Sequence, residues 1–156
     1  MNYRRFFGRR ADEVARDLVG RLLVRNTEKG STSARILEVG AYEGGKDIQA
    51  RQGMLYAPGS IFLMPYRGGR LFNIATDRVM YPSCVEIRKV ATHNKTIKGS
   101  CAVANFFLIT PDLDGILLGE EIQILGEAVD KSKIIMAKGY APNCLGYFLI
   151  NKEISQ

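Results

Sequence analysis

The chain has no tryptophan and a single histidine, His93. Its three cysteines, Cys84, Cys101 and Cys144, are widely spaced and form no CxxC pair, so the ligand set of a zinc site is missing. An odd number of scattered cysteines also argues against a disulfide framework and for reduced, mostly buried thiols in an intracellular protein. No apolar run reaches the length of a membrane span, and no hydrophobic segment of the signal-peptide type follows the start. Asp112, Asp114, Glu120 and Glu121 fit no calcium-loop spacing and read as a solvated acidic rim. No metal and no cofactor is expected.

What the chain does have is ordinary globular material and an excess of positive charge. At 156 residues, 46% hydrophobic and 24% charged, it reads as a single domain over residues 1–156, long enough for a core. A formal charge of +6 favours a polyanionic partner, nucleic acid before membrane. The cations gather in three groups: Arg4, Arg5, Arg9 and Arg10; Arg67 and Arg70; and Arg88, Lys89, Lys95 and Lys98.

The patterning is mixed. Residues 11–19 carry apolar side chains at helical spacing, with Gly20 to end the helix. Leu22 to Arg25 and Ala34 to Tyr42 predict strands joined by a polar turn at residues 28–31. Residues 43–59 read as a loop. A second hairpin runs from Ser60 to Met64, turns at Pro65-Tyr66-Arg67-Gly68-Gly69, and returns from Arg70 to Thr76. Val85 to Val90 predicts another strand, and Ser100 is placed to N-cap a helix reaching Ile109. Ile116 to Leu125 and Tyr147 to Ile150 read as late strands, with a loop from Gly139 to Gly146. Without regular alternation of strand and helix, the fold expected is α+β: a curved antiparallel sheet with a protruding β-hairpin and flanking helices.

Three local features suggest chemistry. In Ile36-Leu37-Glu38-Val39-Gly40-Ala41-Tyr42 the period of a strand puts Glu38, Gly40 and Tyr42 on one face, a carboxylate and a phenol flanking an empty position. At the hairpin tip, Tyr66 between flanking arginines suits insertion into a duplex, with Arg67 and Arg70 on phosphates. The alternative there is a tyrosine packed on its own hairpin. Asn73, inside the apolar strand Leu71-Phe72-Asn73-Ile74-Ala75, must find partners, either a neighbouring backbone group or a base edge.

In order along its length the chain resembles the alkyladenine (3-methyladenine) DNA glycosylase family of the human-enzyme type. Phe6-Phe7 and Val14 to Arg25 resemble the family's opening helix and strand, and Ala34 to Gly44 its "RIVETEAYxG" strand. Gly53-Met54 with Ala57 to Phe62 is similar to its "GxMFxxPGxLYVY" segment, Leu71 to Ile74 to its "CxNI/LNV" strand, and Leu145 to Leu149 to its closing "LRFYV". The resemblance implies monofunctional base excision repair on duplex DNA. A tyrosine intercalates, an alkylated or deaminated purine flips into an aromatic pocket, and a glutamate-activated water attacks C1′. By the resemblance Tyr66 is the intercalating tyrosine, Tyr42 the pocket tyrosine and Asn73 the asparagine of the pocket floor.

The same resemblance marks departures. The place of the general-base glutamate is Gly40, that of the pocket histidine Arg51, that of the second aromatic wall Met64 or Leu63, and that of an arginine near the catalytic water Pro82. Glu38 is the first candidate for a relocated base, with Glu43 at the mouth of the turn as another. Arg51 cannot accept a proton and would repel a cationic purine. The expected function is therefore a monomeric, intracellular 3-methyladenine-type DNA glycosylase with an atypical site, its partner duplex DNA with damaged purines. The alternatives are a catalytically impaired binder of lesions or abasic sites on the same scaffold, and a basic domain that meets RNA or another polyanion without base flipping.

Overall fold

Runs of β-branched and apolar residues commit more of the chain to strands than to helices, and helices form only where apolar side chains recur at three and four. The computed structural model describes residues 1–44, 55–138 and 144–149. It opens with α1 (Tyr3–Phe7) and α2 (Ala11–Leu18), followed by β1 (Leu22–Thr27), β2 (Gly30–Tyr42), β3 (Ile61–Tyr66), β4 (Gly69–Ala75), β5 (Cys84–Ala91) and β6 (Thr96–Lys98). Then come α3 (Ser100–Phe106), β7 (Ile122–Leu125), β8 (Ile134–Lys138) and β9 (Cys144–Leu149). The nine strands make one antiparallel sheet in the order β3-β4-β5-β2. Beyond β2 the sheet forks: its first half pairs with β1 and then β7, its second half with β9 and then β8. The expected α+β class is what forms.

One face of the sheet is covered by α2, which buries Ala11, Val14, Ala15 and Leu18 against β2 and β5. Asp12 and Glu13 in its first turn complement the helix dipole. The third helix covers β4 and β5, docked by Ser100, whose Oγ accepts from the Phe72 amide at 2.7 Å. Ser100 is thus the first residue of α3 and not its cap, the position preceding it being Gly99 at φ +97°.

The feature that positions the site is a pair of bulges between β2 and β5. Ile36 pairs with Val90, Glu38 with Lys89, and Val39 with Ile87, so Leu37 is an extra residue on β2 and Arg88 an extra residue on β5. An extra residue reverses which side chains face the core. On β2 the core residues are Ala34 and Ile36 before the bulge, Leu37 within it, and Val39 and Ala41 after it. On β5 they are Val85 and Ile87, then Val90 and Ala91. Glu38, Gly40 and Tyr42 are thereby turned to the face opposite α2, in unbroken register with Phe148, Gly146 and Cys144 of β9.

Several boundaries differ from the sequence reading. The second hairpin turns on two residues alone, Arg67 (φ +48°) and Gly68 (φ +81°), the left-handed pair of a tight turn. Tyr66 consequently ends a strand, opposite Gly69. The strand expected from Ile116 begins at Ile122: Gly115 (φ +82°) closes a turn and residues 118–121 bend, with one isolated bridge from Leu117 to Ser60. Cys144 to Gly146, expected in a loop, belong to β9.

Candidate functional site

Away from α2, the side chains of β2, β3, β4 and β5 enclose a cavity of about 300 Å³. Its lining comprises Tyr42 from β2, Phe62, Met64 and Tyr66 from β3, Leu71 and Asn73 from β4, and Cys84 and Glu86 from β5. The alternation of each strand explains the set, since residues two apart share a face. The volume lies at the lower end of the roughly 300–1,000 Å³ usual for small-ligand pockets, and the walls are mainly apolar with a few polar groups, as such pockets require.

Glu86 sits at the centre of this floor. It is the register partner of Gly40 on one side and of Asn73 on the other. Its Oε1 accepts from Arg88 Nε at 2.7 Å in an ion pair whose side chains are only 9% and 5% exposed. Arg88 also donates through Nη2 to the Tyr42 hydroxyl at 2.8 Å and to Cys144 Sγ at 3.0 Å. Burial works against the guanidinium charge, but the bond to Glu86 and the surrounding negative groups outweigh it and hold Arg88 protonated more firmly than usual. Tyr42 moves up as well, first through burial and then through the negative charge of Glu86, so its phenol stays neutral.

Gly40 is not a vacancy in this arrangement. A Cβ there would lie 2.5 Å from Arg88 Cζ, 2.6 Å from Nη2 and 2.8 Å from Nε. The guanidinium occupies the space a side chain at Gly40 would enter.

The carboxylates singled out from sequence lie elsewhere. Glu38 is buried and shares a face with Gly40, yet its Oε2 is 3.5 Å from Lys89 Nζ, and the cavity lining does not include it. The paired bulge delivers Glu38 to Lys89 and brings Arg88, not Glu38, over Gly40. Glu43 pairs with Arg10 at 3.4 Å, and burial followed by Asp12 raises its pKa. Asn73 is buried, its Nδ2 donating to Leu71 O at 3.3 Å and its Oδ1 accepting from Cys84 Sγ at 3.7 Å. Among the described residues nothing accepts from the second N–H of its amide. Met64 does line the cavity, whereas Leu63 points into the main core. Arg51 lies outside the described residues.

At the rim, Tyr66 is 45% exposed and also lines the cavity. The Arg67 guanidinium lies 5.2 Å from the centre of its ring, and Arg67 and Arg70 are exposed. The basic groups seen in the sequence fare unequally. Arg9 is tied to Asp17 at 2.7 Å and Arg10 to Asp12 at 3.2 Å, while Arg88 is buried and no part of a surface patch. Pro82 is buried and does not line the cavity, and the arginine beside the Gly40 position is Arg88, six residues further on. Sequence reasoning missed the Glu86–Arg88 pair. Its signal was Val85-Glu86-Ile87-Arg88, an acid and a base two apart on one face of a buried strand.

Among the described residues no group of three or more His, Cys, Asp or Glu could hold a metal ion, and no helix is long and apolar enough to cross a membrane.

Relatives provisionally named 3-methyladenine DNA glycosylase include one from Latilactobacillus sakei subsp. sakei, 32% identical over 95 residues, covering 54% of this chain and 45% of the relative. One from Methanocella arvoryzae is 35% identical over 95 residues, covering 54% and 48%, and one from Streptomyces avermitilis is 41% identical over 63 residues, covering 35% and 30%. The chain thus spans about half the length, or less, of these curated relatives. The family model for methylpurine-DNA glycosylase (MPG) matches residues 5–138, the stretch that carries the cavity, the hairpin and the Glu86–Arg88 pair, and the chain belongs to that family.

Proposed function

We propose that this protein binds duplex DNA as a monomer, flips an alkylated or deaminated purine into the cavity floored by Glu86 and Asn73, and hydrolyses its glycosidic bond. The observation that carries the reading is the position of Tyr66. It ends the exposed hairpin strand and at the same time forms a wall of the cavity. A ring so placed can enter the stack where a base has left while the displaced base occupies the adjoining space. Arg67 and Arg70 beside it are free to meet phosphates.

Within the cavity, Tyr42, Phe62 and Met64 offer faces for the purine, and Asn73 offers its spare amide N–H to the base edge. N-alkylated purines carry a positive charge and leave readily, so they are the expected first substrates, with neutral hypoxanthine slower. No cofactor is required for such hydrolysis. A second reading, a lesion or abasic-site binder without turnover, is favoured by one observation only, the glycine at position 40.

Binding of Tyr66→Ala to duplexes with and without 7-methylguanine tests the flipping reading. Base stacking on an aromatic is worth about 1–3 kcal/mol, or roughly 5–150-fold in affinity. Tyr66→Ala should lose that much preference for the damaged duplex while keeping its affinity for undamaged DNA. An unchanged preference would remove Tyr66 from the account and favour a surface polyanion binder.

A further inference from the structure

The geometry points to Glu86 as the catalytic carboxylate, moved one rung across the sheet from β2 to β5, with Arg88 as its positioning residue; the assignment rests on the glycosylase reading above. Gly40 and Glu86 are direct register partners. Side chains at such positions start about 4.5–5.5 Å apart on the same face, a gap the length of a glutamate side chain covers. A carboxylate on Glu86 can therefore serve the ground that a residue at position 40 would otherwise serve.

Three further observations favour Glu86. It is a buried carboxylate in a cavity wall, where an apolar residue would be the inexpensive choice. Arg88 fixes Oε1 from one side, and no described residue donates to Oε2, which leaves that oxygen for a water. Gly40 is the complement of the arrangement, because any side chain there would displace the guanidinium that holds Glu86. Glu38, by contrast, is committed to Lys89 and lies outside the cavity lining.

The step balances without further reactants. The oxygen of a water held by Oε2 forms a bond to C1′ of the flipped nucleotide while the bond from C1′ to the purine nitrogen breaks. The bonding electrons leave with the purine, which as an N-alkylated cation departs neutral and needs no proton. The water proton passes to Glu86, which later returns it to solvent. The products are the free base and a sugar with a hydroxyl at C1′. Arg88 keeps the carboxylate oriented and, through its bond to Tyr42, keeps the wall of the cavity in place.

Single-turnover release of 7-methylguanine from a duplex separates the possibilities, with wild type, Glu86→Gln, Glu86→Asp and Glu38→Gln compared at saturating protein. Binding to the same duplex is measured in parallel. Loss of a positioned base costs about 10²–10⁴-fold in rate. Glu86→Gln should fall by that factor with lesion binding within a few fold of wild type, and Glu38→Gln should keep most of its rate. Glu86→Asp preserves the charge and an ion pair with Arg88, and it covers the case in which Glu86→Gln fails to fold. It should bind and yet lose at least tenfold in rate, whereas a purely structural Glu86 would leave it near wild type. Release by a folded Glu86→Gln at the wild-type rate, or its loss in Glu38→Gln instead, overturns the assignment and leaves the glycosylase reading standing. Lesion-selective binding with no release by wild type overturns both.

Discussion

The Arg88 guanidinium stands where a side chain at Gly40 would begin, with only 2.5 Å between Arg88 Cζ and the place of the missing Cβ. Arg88 cannot give way cheaply, since it is buried and bound to Glu86, Tyr42 and Cys144. Overpacking of this kind costs about 1–3 kcal/mol. Gly40→Ala should lose that much stability in urea denaturation with an unchanged m value. Gly40→Glu, though it returns a carboxylate to β2, should be less stable still and no more active than wild type.

Glu86 and Arg88 should also show strong coupling in stability. Removing one partner of a buried pair costs about 3–5 kcal/mol, whereas replacing both by apolar residues is often neutral or stabilising. Arg88→Met should therefore be markedly destabilised, and the double variant Glu86→Leu/Arg88→Met should recover most of the loss. A double-mutant cycle by chemical denaturation measures the coupling.

Arg67 and Arg70 are exposed beside the inserting tyrosine, and each is expected to neutralise one phosphate. Substituting either by alanine should weaken binding about equally for damaged and undamaged duplex. The slope of log affinity against log salt should shrink by about one phosphate contact for each. Titrations at several salt concentrations read the slope directly, and stability should stay within about 0.5 kcal/mol because neither residue is buried.

Tyr42 predicts a feature of the alkaline limb. Burial and the charge of Glu86 raise its pKa, so the folded protein keeps a proton that the unfolded chain gives up near the ordinary phenol value of about 10. The residue adds no pH dependence below that range, and above it stability falls as pH rises. Burial raises the Tyr147 phenol as well, so ultraviolet titration should find more than one phenol that resists ionisation, and Tyr42→Phe should remove one of them together with part of the alkaline decline.

Much of the scaffold was legible in the sequence because it is governed by local periodicity. Val14 and Leu18 at helical spacing gave α2, and the alternation around Phe72 and Ile74 gave the strand beneath the hairpin tip. Tyr42, Met64, Tyr66 and Asn73 do line one cavity, a grouping that the family resemblance implied and local periodicity did not. What local pattern could not carry was the paired bulge. Leu37 and Arg88 are extra residues only with respect to each other's strand, so neither segment read alone reveals the change of face. For the same reason Arg88 looked like one more surface cation, and Glu86 like a strand residue without a task. Short elements such as β6 were missed because three residues of Thr, Ile and Lys carry too little pattern.

The most direct measurement of the central claim is release of free 7-methylguanine from a duplex by the wild-type protein in excess, set against the protein-free duplex under the same conditions. A glycosylase predicts first-order release that saturates with protein concentration, far above the spontaneous rate, and leaves an alkali-labile abasic site in equal yield. Tight, lesion-selective binding with release no faster than in the protein-free duplex would contradict it.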